Sequence, residues 1–222
     1  MKIRQRRLGS LLLSVVMLLN LFPMTVLAAE EEWVQIYNAS DLGKIVQNPS
    51  GNYHLARDID LAGAEWSPID SFTGKLDGND KMISNFTISD TTASNSGLFS
   101  SVGAAGRISN LGIEGASITA GDNAGILAGE NNGTISQCYT KGSISGNKYV
   151  GGLVGQNAGT IEDSFSRAEV SGKDYLGGLV GASSGIVSHS YAASSLLASV
   201  FNNYLDFNGT TGYIDIPHRD SY

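Results

Sequence analysis

Four aspartates are the residues whose type and spacing could support catalysis. Asp58 and Asp60 flank the apolar Ile59, so both carboxyl groups lie on one face of a β-strand. Asp77 and Asp80 flank a Gly-Asn turn. Clustered carboxylates can act as acid or base in polysaccharide cleavage, or as calcium ligands. They are equally typical of turns and of solvated strand faces. We favour the structural role and expect no catalytic residue in this chain.

Other catalytic and metal-binding signals are weak. The three histidines, His54, His189 and His218, have no metal-ligand spacing, and the chain contains no HExxH motif. The single cysteine, Cys138, has no histidine near it in the sequence, which favours a small buried residue over a nucleophile. We therefore expect no zinc centre and no cofactor, and we assign no metal-binding residue; calcium binding stays open, because isolated acids do not make a coordination loop.

The charge of the chain argues against nucleic-acid binding. The chain has 222 residues with 14 Lys and Arg against 21 Asp and Glu, a net charge of −7. Binding to phosphates requires clustered cations, and the sequence contains a basic cluster only at its start. The hydrophobic fraction of 41% also argues against global disorder.

Residues 1–28 have the form of a secretory signal peptide. A basic start precedes an apolar run, and Val26-Leu27-Ala28 provides a cleavage site. A membrane anchor is the alternative, but the run is short for a span of ~20 residues and is interrupted by Ser14, Asn20 and Pro23. Cleavage removes four cations and no acids, which leaves 10 against 21 and a net charge of −11. We expect a secreted or cell-surface protein with no membrane span after cleavage.

A repeat of 26 residues dominates the rest of the sequence. Residues 150–155 recur as 176–181, and 124–129 form a looser copy. The repeat-defining residues are Gly152, Leu153, Val154, Gly155, Gly178, Leu179, Val180 and Gly181. Three further columns keep the same step: Tyr139, Phe165 and Tyr191; Ile144, Val170 and Leu196; Tyr149, Tyr175 and Phe201. A further column, at steps of 25 to 27 residues, is expected to run through Ile59, Phe86, Leu111, Cys138, Ser164 and Ser190.

The repeat length and punctuation predict the fold. A unit this short cannot bury its own apolar face, so neighbouring units must stack. Short apolar runs between Gly, Asn and Ser are typical of strands and turns. The sequence therefore predicts an all-β fold, a parallel β-solenoid (β-helix) of about six coils. Gly at the corners would permit positive φ or a close approach of two backbones.

A short helix within residues 36–47 is predicted to cover the N-terminal end of the solenoid. Ser40 or Asp41 can cap it, and the spacing of Leu42, Ile45 and Val46 places these three side chains on one face. Such a cap would cover the open end of the stacked sheets.

The aromatic column of Tyr139, Phe165 and Tyr191 has two interpretations. It could form a platform that contacts sugar rings, or a ladder of stacked rings that fixes the register of the coils. We favour the ladder, because a repeat produces such columns without any ligand.

Residues 152–155 and 178–181 resemble the GLUG repeat family, named for its Gly-Leu-hydrophobic-Gly core. The resemblance extends over residues 36–192. It implies a large exported bacterial protein, because such repeats occur in adhesin-like proteins and in the non-catalytic N-terminal part of some immunoglobulin-A-cleaving zinc peptidases.

Residues 204–217 resemble the opening strands of a laminin-G-like, concanavalin A-like jelly roll, which five further residues could not complete.

These observations predict four segments: a signal peptide (1–28), an N-terminal strand and capping helix (29–52), the solenoid (53–201) and an incomplete laminin-G-like start (202–222). The predicted function is a non-enzymatic, monomeric stalk or adhesive module that contacts surface polysaccharide or glycoprotein. The alternative is a non-catalytic accessory region of a secreted hydrolase, either a zinc peptidase or a polysaccharide-cleaving enzyme.

Overall fold

The computed structural model describes residues 31–198. The chain divides into two compact units, Met1–Glu31 and Glu32–Tyr222, and every helix and strand described here belongs to the second. The predicted signal peptide, Phe201 and the laminin-G-like segment lie outside the described residues. The boundaries proposed for 29–52 and 53–201 remain predictions.

Up to residue 198, the described part of the second unit consists mainly of β-strands, and every described strand pair is parallel. In chain order the strands are β1 (Trp33–Ile36), β2 (Asn52–Leu55), β3 (Ile59–Glu65), β4 (Lys75–Asp90), β5 (Phe99–Val102), β6 (Arg107–Ala120), β7 (Ala124–Gly125), β8 (Ala128–Asn131), β9 (Thr134–Ser136), β10 (Tyr139–Ser145), β11 (Lys148–Gly151), β12 (Val154–Asn157), β13 (Thr160–Glu162), β14 (Phe165–Ser166), β15 (Glu169–Gly172), β16 (Asp174–Gly177), β17 (Val180–Ser183), β18 (Ile186–Ser188), β19 (Tyr191–Ala192) and β20 (Ser195–Ala198).

These strands form three parallel sheets. The largest has 13 strands, ordered β1-β2-β4-β6-β10-β14-β19 with β3, β9, β13, β15, β18 and β20 beside this path. The second sheet is β17-β12-β8-β5 and the third is β16-β11-β7. Each later coil visits all three sheets, as β7 through β10 do before β11 begins the next coil. The predicted parallel β-solenoid of about six coils is confirmed.

The 26-residue register is confirmed in the later coils. Val154 pairs with both Ala128 and Val180, and Ile144 pairs with Val170, which pairs in turn with Leu196. Equivalent side chains therefore lie over one another.

The register expected for the early coils is wrong. Ile59 pairs with Ile83, not with Phe86, and Ile83 pairs with Ile113, 30 residues further on. The register also shifts within each early pair, between Asp60 and Ala64 on β3 and between Asp77 and Lys81 on β4. These irregularities add residues to the early coils, so sequence similarity at a step of 25 does not report the pairing.

The interior of the solenoid is filled by apolar columns, and buried residues alternate with more exposed ones along β2 and the end of β6. The buried residues of β6 include Ile108, Leu111 and Ile113, each with at most 1% of its surface exposed. Two buried asparagines, Asn131 and Asn157, form part of a ladder: the Nδ2 of Asn131 donates to the Oδ1 of Asn157 over 2.7 Å. Pairing these amides across coils offsets the cost of burying them.

Glycine serves close backbone approach at the corners of the repeat. A Cβ on Gly155 would lie 2.6 Å from the carbonyl oxygen of Gly129 and 2.7 Å from the amide nitrogen of Ala124. Among the described residues, only Gly63 and Gly115 are glycines with positive φ, whereas thirteen other residues adopt it. Glycine in the repeat therefore serves mainly to let two backbones approach closely, and seldom to supply a positive φ.

The predicted N-terminal helix is present as α1 (Leu42–Gln47), preceded by a 3-10 turn at Ala39–Asp41. Leu42 and Ile45 are fully buried, as expected, but Val46 is 56% exposed because its position turns away from the solenoid.

The capping expected at the start of α1 is also corrected. The Oδ1 of Asn38 accepts the amide of Asp41 over 3.1 Å, and Asp41 itself makes no side-chain capping bond to α1. The carboxylate of Asp41 instead accepts the backbone amide of Tyr37 and pairs with Lys44 at 2.8 Å. Within residues 31–198, no helix is both long and apolar enough to cross a membrane.

Candidate functional site

The four candidate aspartates lie just before β3 or at the register shifts within β3 and β4. The Oδ1 of Asp58 accepts the backbone amide of Met82 over 2.9 Å, which ties the start of β3 to the next coil. The Oδ1 of Asp77 accepts the amide of Asn79 over 2.9 Å, and the exposed Asp80 lies within the same register shift of β4 with a φ of 56°. The carboxylates of Asp58 and Asp77 therefore bind backbone amides of the solenoid.

The carboxylate of Asp60 accepts two hydrogen bonds from neighbouring residues. Its Oδ1 accepts the backbone amide of Ala62 over 2.8 Å and the Nδ2 of Asn85 over 2.9 Å. These bonds stabilise the charged form and lower the pKa of Asp60, with the Ala62 bond the larger cause. A lowered pKa makes this carboxyl a poor proton donor at neutral pH. Among residues 31–198, no group of three or more His, Cys, Asp or Glu side chains is placed to hold a metal ion.

Cys138 is 1% exposed, and its thiol donates to the carbonyl of Ser136 over 3.2 Å. Burial raises the pKa of the Cys138 thiol to about 12. At neutral pH the group is therefore protonated and shielded from solvent, which is the environment of a structural cysteine.

The column of Tyr139, Phe165 and Tyr191 forms a continuous stack. Ring centroids of neighbours are 5.3 and 5.2 Å apart, with interplanar angles of 8° and 7°. Gly112 lies under the Tyr139 ring, since a Cβ there would lie 2.5 Å from the Cζ of the tyrosine. The stack thus covers most ring faces with other rings, which suits a ladder. A ligand-contact role for these three residues stays a prediction.

The repeat-defining residues lie where two sheets meet. Leu153 and Leu179 are fully buried, and the amide of Leu153 donates to the carbonyl of Leu179 over 2.8 Å. The flanking glycines pack against backbone of the adjoining coil, as for Gly181, where a Cβ would lie 2.5 Å from the carbonyl carbon of Tyr149. These residues build the coil and leave little of their own surface to a ligand.

A second aromatic stack lies at a corner of the solenoid, where the sequence shows only a repeated column. The rings of Tyr149 and Tyr175 are 4.8 Å apart at an interplanar angle of 22°. The Nζ of Lys148 lies 4.6 Å from the first centroid and 5.3 Å from the second. A hydrogen bond to Tyr149 is the main cause of a raised pKa for Lys148, so this ammonium stays charged. In the sequence, the recurrence of tyrosine after 26 residues is the feature that could have indicated this stack.

A cavity of about 260 Å³ opens beside Tyr149. Its other walls come from β8, β12 and β17 and from the turn after each of the latter two. They are Glu130, Gln156, Asn157, Ala158, Ala182, Ser183 and Ser184. The cavity therefore combines an aromatic wall with a carboxylate, a carboxamide and hydroxyl groups, a mixture suited to polar organic ligands.

No Gly-x-Ser-x-Gly elbow was expected in this chain, but Gly181-Ala182-Ser183-Ser184-Gly185 fits the pattern. Ser183 lies within β17, not in a strand-to-helix elbow, and its Oγ accepts from the Nδ2 of Asn157 over 3.1 Å. It also donates to the carbonyl of Gly185 over 3.4 Å. No histidine in the described chain contacts it, so the activated nucleophile of such elbows is not assembled here.

Part of the solenoid matches a known sequence motif. Residues 146–171 match the GLUG motif. The GLUG motif includes β11 through β14, the Gly152–Gly155 core and the Tyr149 corner. This match and the similarity to the relatives support the GLUG repeat resemblance, whereas no finding supports the laminin-G-like resemblance of residues 204–217.

Two relatives share sequence with the chain. Halomucin of Haloquadratum walsbyi is 44% identical over 89 residues, which cover 36% of this chain and 1% of halomucin. The immunoglobulin A1 protease of Streptococcus pneumoniae is 32% identical over 127 residues, which cover 53% of this chain and 6% of the protease. The chain thus spans a small fraction of the length of each relative. No solved structure matches the chain significantly.

Proposed function

We propose that this chain is an exported, non-catalytic β-solenoid segment that acts as a stalk or adhesive module at a cell surface. The observation that carries the proposal is the unbroken parallel stacking from β1 to β20. Each coil hydrogen-bonds along its length to the next, which gives a stiff element that presents repeated side chains at fixed spacing. The carboxylates of Asp58, Asp60 and Asp77 accept backbone amides within this framework.

Several observations support export and surface location. Residues 1–28 have the composition of a signal peptide. The net charge expected after cleavage, −11, favours solubility and disfavours adhesion to anionic surfaces. Similarity to halomucin and to an immunoglobulin A1 protease supports a repeat region within a larger exported protein. We propose surface polysaccharide or glycoprotein as the partner, and a monomer as the working form.

Surface display tests this proposal. A strain that produces the chain with a C-terminal epitope tag should stain on intact cells, and external protease should remove the tag. The matched control lacks residues 1–28 and should be stained only after permeabilisation. Retention of the complete chain inside intact cells would contradict the proposal, as would cleavage of wall polysaccharide by the purified protein.

A second candidate function is an accessory region of a secreted hydrolase. The 32% identity to the immunoglobulin A1 protease over 53% of this chain favours it. Under this proposal the complete reading frame encodes a catalytic domain, such as an HExxH peptidase or a glycosidase, beyond the solenoid. A complete reading frame with only repeats, lectin-like domains and a wall anchor would contradict it.

A further inference from the structure

One corner column changes from asparagine to tyrosine part-way along the solenoid. Asn95, Asn123, Tyr149 and Tyr175 occupy equivalent positions, and their φ angles are 56°, 56°, 58° and 54°. Left-handed backbone favours asparagine, whose short polar side chain bonds locally, and disfavours a bulky ring. The two tyrosines are therefore poor choices for the backbone conformation alone, which points to a role for their rings.

The two rings are held in place before any ligand arrives. Tyr149 stacks on Tyr175 at 4.8 Å, and the ammonium of Lys148 lies within 5.3 Å of both centroids. Tyr175 is 57% exposed, so this stack is accessible to solvent. Stacking and cation–π contact fix the rotamers, which lowers the entropy cost of binding.

The polar wall of the adjoining cavity is also fixed in orientation. The Nε2 of Gln156 donates to the Oδ1 of Asn123, whose Nδ2 donates to the Oδ1 of Asn95 over 2.7 Å. This chain of hydrogen-bonded amides fixes the orientation of the Gln156 carboxamide, so its Oε1 can accept a hydrogen bond from a ligand. Glu130 is held by the Nδ2 of Asn132 through its Oε1 over 3.0 Å. Acceptors thus line a cavity that Tyr149 also lines.

We propose that Tyr149, Gln156, Glu130 and Ser184 form a binding site for a neutral pyranose unit of a surface glycan. A pyranose combines an apolar C–H face with a rim of hydroxyl donors, which matches an aromatic wall and fixed oxygen acceptors. The carboxylate of Glu130 disfavours acidic sugars. At 260 Å³ the cavity is smaller than the ~300–1,000 Å³ of sites for drug-sized ligands, so it holds one unit of a chain. The site rests on the proposed adhesive function and supplies its ligand class.

Isothermal titration calorimetry on the full chain tests the site with four probes. Cellohexaose, maltohexaose and hexa-N-acetylchitohexaose are neutral, and hexagalacturonate is acidic. The protein should bind at least one neutral probe and bind hexagalacturonate more weakly. Tyr149→Asn should weaken that binding at least ~10-fold, equivalent to ~1.4 kcal/mol. It places the residue of positions 95 and 123 in the same backbone conformation, so the corner should be retained.

Two further variants complete the design. Gln156→Ala introduces the residue found at the equivalent position 182 and should weaken binding roughly 3- to 10-fold by removing an acceptor. Tyr191→Ala removes an exposed ring from the other aromatic stack and should leave binding unchanged. Circular dichroism checks that each variant is folded, and Gln156→Ala alone decides the test if Tyr149→Asn unfolds.

The results separate this site from the proposed function. Failure to bind any neutral probe overturns the site, as does tighter binding of hexagalacturonate. Unchanged binding in both site variants, or loss of binding in Tyr191→Ala, also overturns it. None of these outcomes affects surface display. Conversely, intracellular retention, or shortened oligosaccharides after incubation, contradicts the proposed function and leaves a measured binding site intact.

Discussion

Gly155 lies at a point where three segments of backbone meet. A Cβ at this position would lie between 2.6 and 2.7 Å from backbone atoms of Asn123, Ala124 and Gly129. Backbone of a stacked coil cannot rotate away as the end of a side chain can. The side-chain hydrogen of glycine is therefore what allows the sheets to approach at this corner.

Replacing Gly155 by Ala should destabilise the protein by roughly 1–3 kcal/mol, because the coils must separate locally to admit the methyl group. Gly43→Ala is the matched control, since Gly43 lies in α1 and a methyl group there would have no neighbouring atom within 4 Å. It should stabilise the protein by about 0.5–1 kcal/mol through helix propensity. Urea denaturation measures both, and equal effects would contradict the packing argument.

Cys138 occupies a column in which the later coils have serine. The Oγ of Ser164 donates to the carbonyl of Glu162 over 2.8 Å and accepts the amide of Cys138 over 3.1 Å. Ser190 repeats both bonds one coil later. The thiol of Cys138 donates to Ser136 in the same pattern, so the position requires a small hydrogen-bond donor and no thiol chemistry.

Cys138→Ser should change the free energy of unfolding at pH 7 by at most about 1 kcal/mol, since serine restores the hydrogen bond. Burial raises the pKa of Cys138 from 9.0 to about 12, so its protonated form is favoured in the folded state. This contribution is complete below pH 9 and is lost as pH rises towards 12, at up to about 1.4 kcal/mol per pH unit. The variant should show a shallower alkaline loss of stability in urea titrations from pH 8 to 11. Identical profiles, or rapid thiol labelling of the native protein at pH 8, would contradict the structural role.

At the scale of the element, the stack of Tyr139, Phe165 and Tyr191 links β10, β14 and β19. Tyr139 pairs with Phe165, and Phe165 pairs with Tyr191, so ring stacking follows the backbone register. Phe165 contacts a ring on each side, whereas Tyr191 contacts one within the described residues. The position of each ring in the ladder therefore determines how much it contributes to the stability of the solenoid.

Phe165→Ala should cost about 2–4 kcal/mol, because it removes two stacked contacts and apolar burial in the middle of the ladder. Tyr191→Ala should cost less than half as much, since it removes one contact from a ring that is 48% exposed. Thermal and urea unfolding of both variants would measure the ratio. A larger loss in Tyr191→Ala would show that stacking does not stabilise the coils.

The sequence predicts these elements well where the repeat is regular. Columns such as Ile144, Val170 and Leu196 can be read from spacing because each coil adds the same number of residues. The early coils could not be read this way, because the register shift on β4 depends on local backbone angles rather than on hydrophobic pattern.

The candidate site was less predictable than the ladder. The tyrosines at 149 and 175 were visible as a repeated column, but their positive φ angles are not encoded in spacing. The cavity also uses Glu130 and Gln156 from two different coils. Only the stacking of three-sided coils shows that these residues lie beside a ring near the start of β11.

At the scale of the whole solenoid, stability is approximately a sum over coils and the interfaces between them. Each described coil contacts its neighbours through parallel pairs, and no described pair joins distant coils. Removing one complete repeat should therefore leave the remaining columns in register. Removing half a repeat should place apolar residues where polar ones belong, because it shifts every later strand out of its column.

Deletion of residues 146–171 joins Ser145 to Gly172, the equivalent of Gly146, and brings Tyr191 over Tyr139. We expect a folded, monomeric protein with a β-sheet circular dichroism spectrum, shortened by about 4.8 Å and less stable by the loss of one interface. Deletion of residues 146–158 removes half a repeat as the matched control and should give aggregated or unfolded protein. Small-angle scattering, size-exclusion chromatography and urea denaturation distinguish the two outcomes. Equal folding of both deletions would show that the 26-residue register does not specify the solenoid.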